Sequence, residues 1–304
     1  MLILGLFREL LPLLTFGYFL GRFKPELSNH IARPLIKIGI PISLSGLLLK
    51  SGLDWHLFEA LLMALFAIGL LLLGIGTIPK IKSLIFNRSL ILGSAFGNSG
   101  YFGIPVCLAL LPSDALSFSI GFDLGATLLI WTLGPILLSS SPLPIRSGDF
   151  ASGLVKTLTR SPATKGLLGA LVIQLTPWTQ VITSAIWLPS RVVICLALMV
   201  VGIRLSSLTF SNKPANRDLL LLISPSLLIK LFILPALMFA LSIAFSLPSL
   251  MRNALVLQAA TPTAVSVLLL AEASGKEQNI AAFLVTSSTL MAIFTVPLWS
   301  IFLR

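Results

Sequence analysis

Two short stretches of this sequence place polar and helix-breaking residues inside apolar segments. The first stretch carries Asn98 and Pro105 among glycines at every third position, Gly97, Gly100 and Gly103. Hydrocarbon offers no water to backbone N–H and C=O groups, so a broken helix in a membrane persists only where protein or a wet cavity surrounds it. The freed N–H groups at the start of a half-helix attract anions, and the Asn98 amide adds donors and an acceptor. This stretch therefore predicts an anion-binding site.

The second stretch interrupts a later apolar segment at Thr261, Pro262 and Thr263, with Gln258 just before them. Either stretch alone also fits a simpler interpretation, a glycine-rich packing face or a proline kink whose freed backbone groups bond to threonine hydroxyls. Two breaks at matching positions in the two halves of the chain favour a crossing pair of broken helices, the arrangement in which many transporters bind their substrates. The predicted substrate-binding residues are Asn98, Gly100, Gly103, Pro105, Gln258, Thr261, Pro262 and Thr263.

Ionisable side chains inside apolar segments are functional hypotheses by default, because a charge in hydrocarbon is costly. Asp123 either takes up a proton or pairs with a cation during transport, or it reaches the outer interface and has no such role. Lys230 is a candidate partner for an anionic substrate or for Asp123. Arg191 is a second candidate, although its long side chain favours snorkelling to the interface. Asp123 and Lys230 are therefore predicted as coupling residues or charge partners.

The composition indicates a helical membrane protein. Of the 304 residues, 56% are hydrophobic and only 10% are charged, against about 25% charged in an average soluble protein. The net charge of +11 does not indicate nucleic acid as a partner, because the basic residues form no stripe with interleaved aromatics. The sequence contains no nucleophile–base motif, phosphate-binding loop or metal-ligand spacing. We therefore expect neither an enzyme nor a bound cofactor or metal.

Charged and helix-breaking residues divide the chain into predicted membrane spans at 3–20, 34–50, 57–78, 89–111, 115–138, 164–182, 184–204, 219–245, 252–273 and 279–302. The connectors after the odd-numbered spans hold fourteen Lys and Arg residues, and those after the even-numbered spans hold two. Positive residues favour the cytoplasmic side of a membrane. We therefore predict a multi-pass protein of the plasma or inner membrane with both termini outside the cytoplasm.

The longest polar connector lies in the middle of the chain and is typical of a linker. We predict a first five-helix repeat at 1–138, a cytoplasmic linker at 139–163 and a second five-helix repeat at 164–304. Because each repeat has an odd number of spans, the second enters the membrane from the opposite side. The predicted fold class is an all-α polytopic membrane protein of about ten helices in a five-plus-five inverted repeat, with broken fourth and ninth helices that cross.

The motif Asn98-x-Gly100-x-x-Gly103-x-Pro105 on the fourth span resembles the auxin efflux carrier family, which includes bacterial permeases for malate and malonate. Weaker matches extend the resemblance over nearly the whole chain. The resemblance implies that the fourth and ninth spans cross at Pro105 and Pro262, that an organic anion binds beside the crossing, and that Asn98 contacts it. It also implies a core domain that moves against a scaffold, which often dimerises. The short central loop favours a microbial permease over a phosphoregulated plant exporter.

The sequence therefore predicts a secondary transporter or permease that moves a small organic acid, auxin-like or a mono- or dicarboxylate, across the plasma membrane by alternating access. The expected partners are the organic anion, the lipid bilayer and a second copy of the chain in a homodimer. One alternative is a sodium-coupled symporter of the bile-acid type, which needs cation sites rich in carboxylates and amides around the crossing. The other is a membrane sensor or scaffold with the same fold, which needs a soluble output domain or a long tail.

Overall fold

The computed structural model describes residues 2–24, 26–52, 55–112, 114–138, 162–209 and 217–304. Regular secondary structure within these residues is helical, apart from one isolated antiparallel bridge between Gly97 and Thr263. The predicted linker 139–163 lies outside the described residues except for its last two positions.

The helices follow the apolar segments of the sequence. Along the described parts of the chain they are α1 (Leu2–Phe23), α2 (Leu27–Pro34), α3 (Ile40–Ser51), α4 (Trp55–Thr77), α5 (Pro79–Leu84), α6 (Arg88–Ala95), α7 (Ile104–Leu110), α8 (Ala115–Leu138), α9 (Pro162–Gln174), α10 (Thr179–Thr209), α11 (Arg217–Leu228), α12 (Leu234–Ala244), α13 (Ser249–Ala259), α14 (Val265–Ser274) and α15 (Gln278–Phe302). A π turn directly precedes each of α3, α7 and α12, at Leu35–Gly39, Ser99–Gly103 and Ile229–Ile233.

Four of the described helical segments are long and apolar enough to cross a membrane: Trp55–Thr77, Ala115–Leu138, Arg217–Ala244 and Gln278–Phe302. A span of about 20 helical residues crosses a hydrocarbon core of about 30 Å, and these segments contain 23 to 28 residues. The chain is therefore an integral membrane protein built of helices, as the composition predicts. The count of ten spans and the inverted repeat stay predictions.

Most helical segments match the predicted spans to within a few residues, but the middle of the chain differs. The sixth and seventh spans were expected at 164–182 and 184–204, whereas the structure separates α9 from α10 at 175–178. Pro177 lies in that separation, and a proline removes a backbone donor and clashes with the preceding helical turn. Pro189 lies inside α10. The helix therefore ends at the earlier of the two prolines that the sequence offers.

Each of the three described π turns ends two residues before a proline, namely Pro41, Pro105 and Pro235. A proline cannot donate to the carbonyl four residues earlier, and its ring clashes with that carbonyl. The wider π turn relieves the clash. Leu231 O, the carbonyl that Pro235 leaves without its helical donor, accepts a hydrogen bond from Trp299 Nε1 at 2.9 Å. The π turn in front of α12 is therefore anchored to α15.

One group of helices consists of α1, α3, α9 and α10. In this group α1 packs along α10, and α3 packs against α9 and α10. The close approach of α1 needs a residue without a side chain, because a Cβ at Gly17 would collide with the Met199 carbonyl. Ser43 Oγ donates to Ser190 O at 2.9 Å and so joins α3 to α10. Small residues and interhelical hydrogen bonds are the usual means by which helices associate in a membrane.

The broken helices lie in a second group. There α8 packs against α4, α7, α13 and α14, and α15 packs against α6 and α14. The side chains between these helices form a continuous apolar core that includes the fully buried Leu90, Leu255 and Leu284. This core surrounds both interrupted segments, which is the condition for broken backbone at membrane depth.

Candidate functional site

The two interrupted segments meet and cross at Gly97 and Thr263. The backbone N–H of Asn98 donates to Pro262 O at 2.7 Å, and the N–H of Ala264 donates to Phe96 O at 3.0 Å. This antiparallel pairing gives each extended segment the hydrogen bonds that its helix no longer supplies. The crossing is therefore held by backbone groups from both halves of the chain.

The structure corrects the position of the crossing that the family resemblance implied. Pro262 lies in the crossing, but Pro105 follows Gly97 by eight residues and belongs to the first turn of α7. The physical reason is the space at Gly97, where a Cβ would collide with Thr261 Oγ1. Only a glycine admits the opposing segment this closely, whereas Pro105 lies inside the half-helix Ser99–Leu110, just after its π turn.

Polar side chains satisfy other backbone groups that the second break frees. Ser288 of α15 accepts a hydrogen bond from the Thr263 N–H at 3.0 Å, and Thr263 Oγ1 donates to Gly93 O at 3.0 Å. Thr261 Oγ1 donates to the Gln258 carbonyl at 2.7 Å. The two threonines of the predicted site therefore brace the crossing through the backbone of α6 and α13.

Asp123 lies beside the first break. Its side chain is 8% exposed, and its Oδ1 accepts a hydrogen bond from Ser99 Oγ at 2.6 Å. Gly100 packs directly on the carboxylate, because a Cβ there would lie 3.1 Å from Oδ1. Of the two placements that the sequence left open, the structure favours the interior position next to the crossing.

Lys230 also lies at the first break, in the π turn that precedes α12. Its side chain is fully buried, and its Nζ donates to Ala259 O, at the end of α13, at 2.6 Å. A Cβ at Gly97 would lie 2.9 Å from this Nζ, so the ammonium reaches the crossing itself. Within the described part of the chain, neither Lys230 nor Asp123 takes part in an ion pair.

Gln258 and Gly103 join α13 to the segment before α7. Gln258 is fully buried, and its Nε2 donates weakly to Cys107 Sγ at 3.7 Å. Its Oε1 is buried without a hydrogen-bond partner and lies against Gly103, where a Cβ would collide with it. An unpaired buried amide oxygen is costly, so this residue holds a polar group ready for another donor.

The Asn98 side chain is the second unpaired amide of the crossing. It is 5% exposed, and it forms no hydrogen bond with any residue that the structure describes. Arg191, by contrast, is exposed and lies 6.0 Å from the Trp187 ring. The structure thus brings Asn98, Gln258, Lys230 and Asp123 to the two breaks and leaves Arg191 outside this set.

Sequence reasoning missed Ser99, Ser288 and Trp299. Ser99 is adjacent to Asn98 in the sequence, so the Gly-rich motif itself held the signal. Ser288 and Trp299 carry no such signal in the sequence, because each forms a hydrogen bond with a backbone group more than twenty residues away. A serine in an apolar helix more often bonds to its own preceding turn, and Ser288 does this as well.

Comparison with known proteins points to membrane transport. A relative from Methanothermobacter thermautotrophicus, described as an uncharacterized transporter, is 25% identical over 217 residues, which cover 70% of this chain and 67% of the relative. The sequence profile of a family described as "Membrane transport protein" matches residues 150–300, a range that contains the second break. These matches point to a transporter and not to an enzyme family. Over residues 150–300 this chain is therefore similar to this membrane transport protein family, in agreement with the resemblance to the auxin efflux carriers that its motif from Asn98 to Pro105 carries.

Proposed function

We propose that this protein is a secondary active transporter or permease that moves a small organic anion across the plasma membrane by alternating access. The observation that carries the proposal is that two buried polar groups lie at the crossing of two broken helices: the Asn98 amide, which has no hydrogen-bond partner among the described residues, and the Lys230 ammonium. An ammonium favours a carboxylate, and the amide supplies the directional hydrogen bond that distinguishes one acid from another.

The packing of the first helix group supports a five-plus-five inverted repeat as the framework for this motion. If the halves 1–138 and 164–304 are related by a pseudo-two-fold axis, a contact of the first helix with the seventh must be matched by one of the sixth with the second. The corresponding contacts are α1 with α10 and α9 with α3. Alternating access is then a movement of the group that holds the crossing against the group formed by α1, α3, α9 and α10.

The substrate class follows from charge. Mono- and dicarboxylates, auxin-like acids included, carry the negative charge that Lys230 complements. A negative cell interior drives an anion outward by about 2.3 kcal/mol per charge at 100 mV. Asp123 gives this proposal a second element, because a carboxylate bonded to Ser99 beside the crossing is suited to carry a proton with the substrate.

Transport of labelled malonate, malate, lactate and indole acetate in proteoliposomes tests the proposal. We expect saturable flux of one acid, reduced about ten-fold by Asn98→Ala, the upper range for one lost hydrogen bond. Asn87→Ala is the matched control, since Asn87 lies at the start of the same broken helix and its side chain makes no capping bond. Equal flux in wild type and Asn98→Ala removes the crossing as the binding site. Absence of flux for every acid argues against an organic-anion carrier.

A further inference from the structure

We infer that the Lys230 ammonium fills the position at the end of α13 where a coupling cation would otherwise bind, so that transport proceeds without sodium. The inference rests on the proposed function only in that it concerns a transporter. It concerns a cation that the protein itself supplies, the Lys230 ammonium, which we call the built-in cation. It leaves the identity of the substrate open.

The first step concerns the vacant carbonyl at the break. In a continuous helix Ala259 O would accept the N–H of Thr263, but that N–H donates to Ser288 instead. The last carbonyls of a helix also carry the negative end of its dipole. Broken-helix transporters bind sodium ions or protons at such carbonyl ends. In this chain the ammonium of Lys230 binds there, at 2.6 Å from the oxygen.

The second step concerns how firmly the ammonium is placed. Lys230 belongs to the π turn Ile229–Ile233. The Leu231 carbonyl of this turn accepts a hydrogen bond from Trp299, because Pro235 has no N–H to donate to it. The side chain is fully buried. A snorkelling lysine keeps its charged end in water or at the interface, and Lys230 does not. Its position is set by tertiary structure.

The third step is a comparison within the molecule. Lys37 lies in the corresponding π turn, Leu35–Gly39, in front of Pro41, but its side chain is exposed. Both lysines lie in a π turn before a proline, Lys230 at its second position and Lys37 at its third, and they differ in what surrounds the ammonium. Only Lys230 is sequestered from solvent against a half-helix end, so Lys37 is the matched control.

Substitutions that differ in volume test the inference without requiring transport. Lys230→Ala leaves a vacancy beside Ala259 O that a small cation fits, whereas Lys230→Met fills the space with uncharged atoms. We expect the melting temperature of detergent-solubilised Lys230→Ala to fall and then to rise again with added methylammonium or sodium chloride, relative to choline chloride at equal ionic strength. The melting temperature of Lys230→Met should also fall, but neither salt should raise it again. The melting temperatures of wild type and Lys37→Ala should change with neither cation.

Flux measurements provide the second readout. We expect wild-type uptake of the transported acid to be equal in sodium and in choline buffers, and uptake by Lys230→Ala to be lost and partly restored by methylammonium. Sodium-dependent uptake by wild type overturns the inference. So does a Lys230→Ala protein whose melting temperature ignores every cation, or one that responds no differently from Lys230→Met. If no acid is transported but the melting temperatures behave as expected, the proposed substrate class fails and the built-in cation stands.

If Lys230→Ala does not fold in any buffer, the milder Lys230→Arg decides the question. A guanidinium preserves the charge at Ala259 O, so we expect it to fold and to remain indifferent to sodium. A folded Lys230→Arg that gains stability from sodium contradicts the inference, because its fixed charge leaves no cation position vacant.

Discussion

The Glu277 carboxylate accepts a hydrogen bond from the Ser89 backbone N–H at 2.7 Å. This bond joins the loop after the second broken helix to the first turn of α6, where the first broken helix begins. The first N–H groups of a helix have no partner within it, and Asn87, which precedes α6, makes no side-chain cap. Glu277 supplies the missing acceptor from 188 residues away. The two breaks are therefore linked at a helix end as well as at the crossing.

We predict that Glu277→Ala lowers the free energy of unfolding by about 1 kcal/mol, the usual cost of losing a helix cap. Glu277 has a φ of +55°, and alanine is as unfavourable there as glutamate, so the substitution isolates the lost hydrogen bond. Thermal unfolding in detergent measures the effect.

Glu277→Gly serves as the control for the backbone. Glycine adopts positive φ without the cost of about 1–2 kcal/mol that other residues bear, so Glu277→Gly should be more stable than Glu277→Ala. A Glu277→Ala protein as stable as wild type shows that the Ser89 N–H finds another acceptor.

Gly97→Ala tests the close approach at the crossing. The new Cβ collides with Thr261 Oγ1 and crowds Lys230 Nζ, and overpacking of this kind costs about 1–3 kcal/mol. Gly69→Ala in α4 is the control, because a Cβ there meets nothing within 4 Å. In a helix it should be neutral or stabilising by up to about 1 kcal/mol. Similar melting temperatures for the two variants contradict the crossing at Gly97.

Trp299→Phe tests the anchoring of the π turn that carries Lys230. The substitution removes the indole N–H and leaves Leu231 O without a donor, a loss of about 1–3 kcal/mol for a buried carbonyl. We expect a lower melting temperature and a reduced flux, since Lys230 is no longer held in one position. Trp178→Phe is the control at an exposed site. If Trp178→Phe lowers the melting temperature and the flux by the same amount, the effect comes from the smaller aromatic ring and not from the lost hydrogen bond.

The positions of the two breaks were predictable from sequence because glycine and proline act on the local backbone. Asp123 and Lys230 were identifiable for a similar reason, since a charge in an apolar segment stands out without any knowledge of its neighbours. The crossing at Pro105 that the family resemblance implied was wrong, and local sequence could not have corrected it, because it does not tell which backbone groups find partners across the chain. Phe96 O pairs with Ala264, and that choice depends on packing between the two halves.

Asp123→Asn separates proton coupling from substrate binding. Asparagine keeps an acceptor for Ser99 Oγ but cannot carry a proton into and out of the crossing. We expect an imposed pH gradient to redistribute the transported acid in wild-type proteoliposomes and not in Asp123→Asn, whereas exchange of labelled for unlabelled acid at equal concentrations persists in both. Exchange needs only binding and reorientation, and in the proposed site Asn98 and Lys230 supply the binding.

Ser99→Ala is the partner variant for this experiment. It removes the hydroxyl that donates to Asp123 at 2.6 Å and leaves the titratable carboxyl in place, so its net transport should still follow the pH gradient. If Asp123→Asn also follows the gradient, the proton takes another route and Asp123 serves the structure of the first break. If both exchange and net transport disappear in Asp123→Asn while the melting temperature is unchanged, the carboxylate acts in binding, and coupling must be sought in another residue.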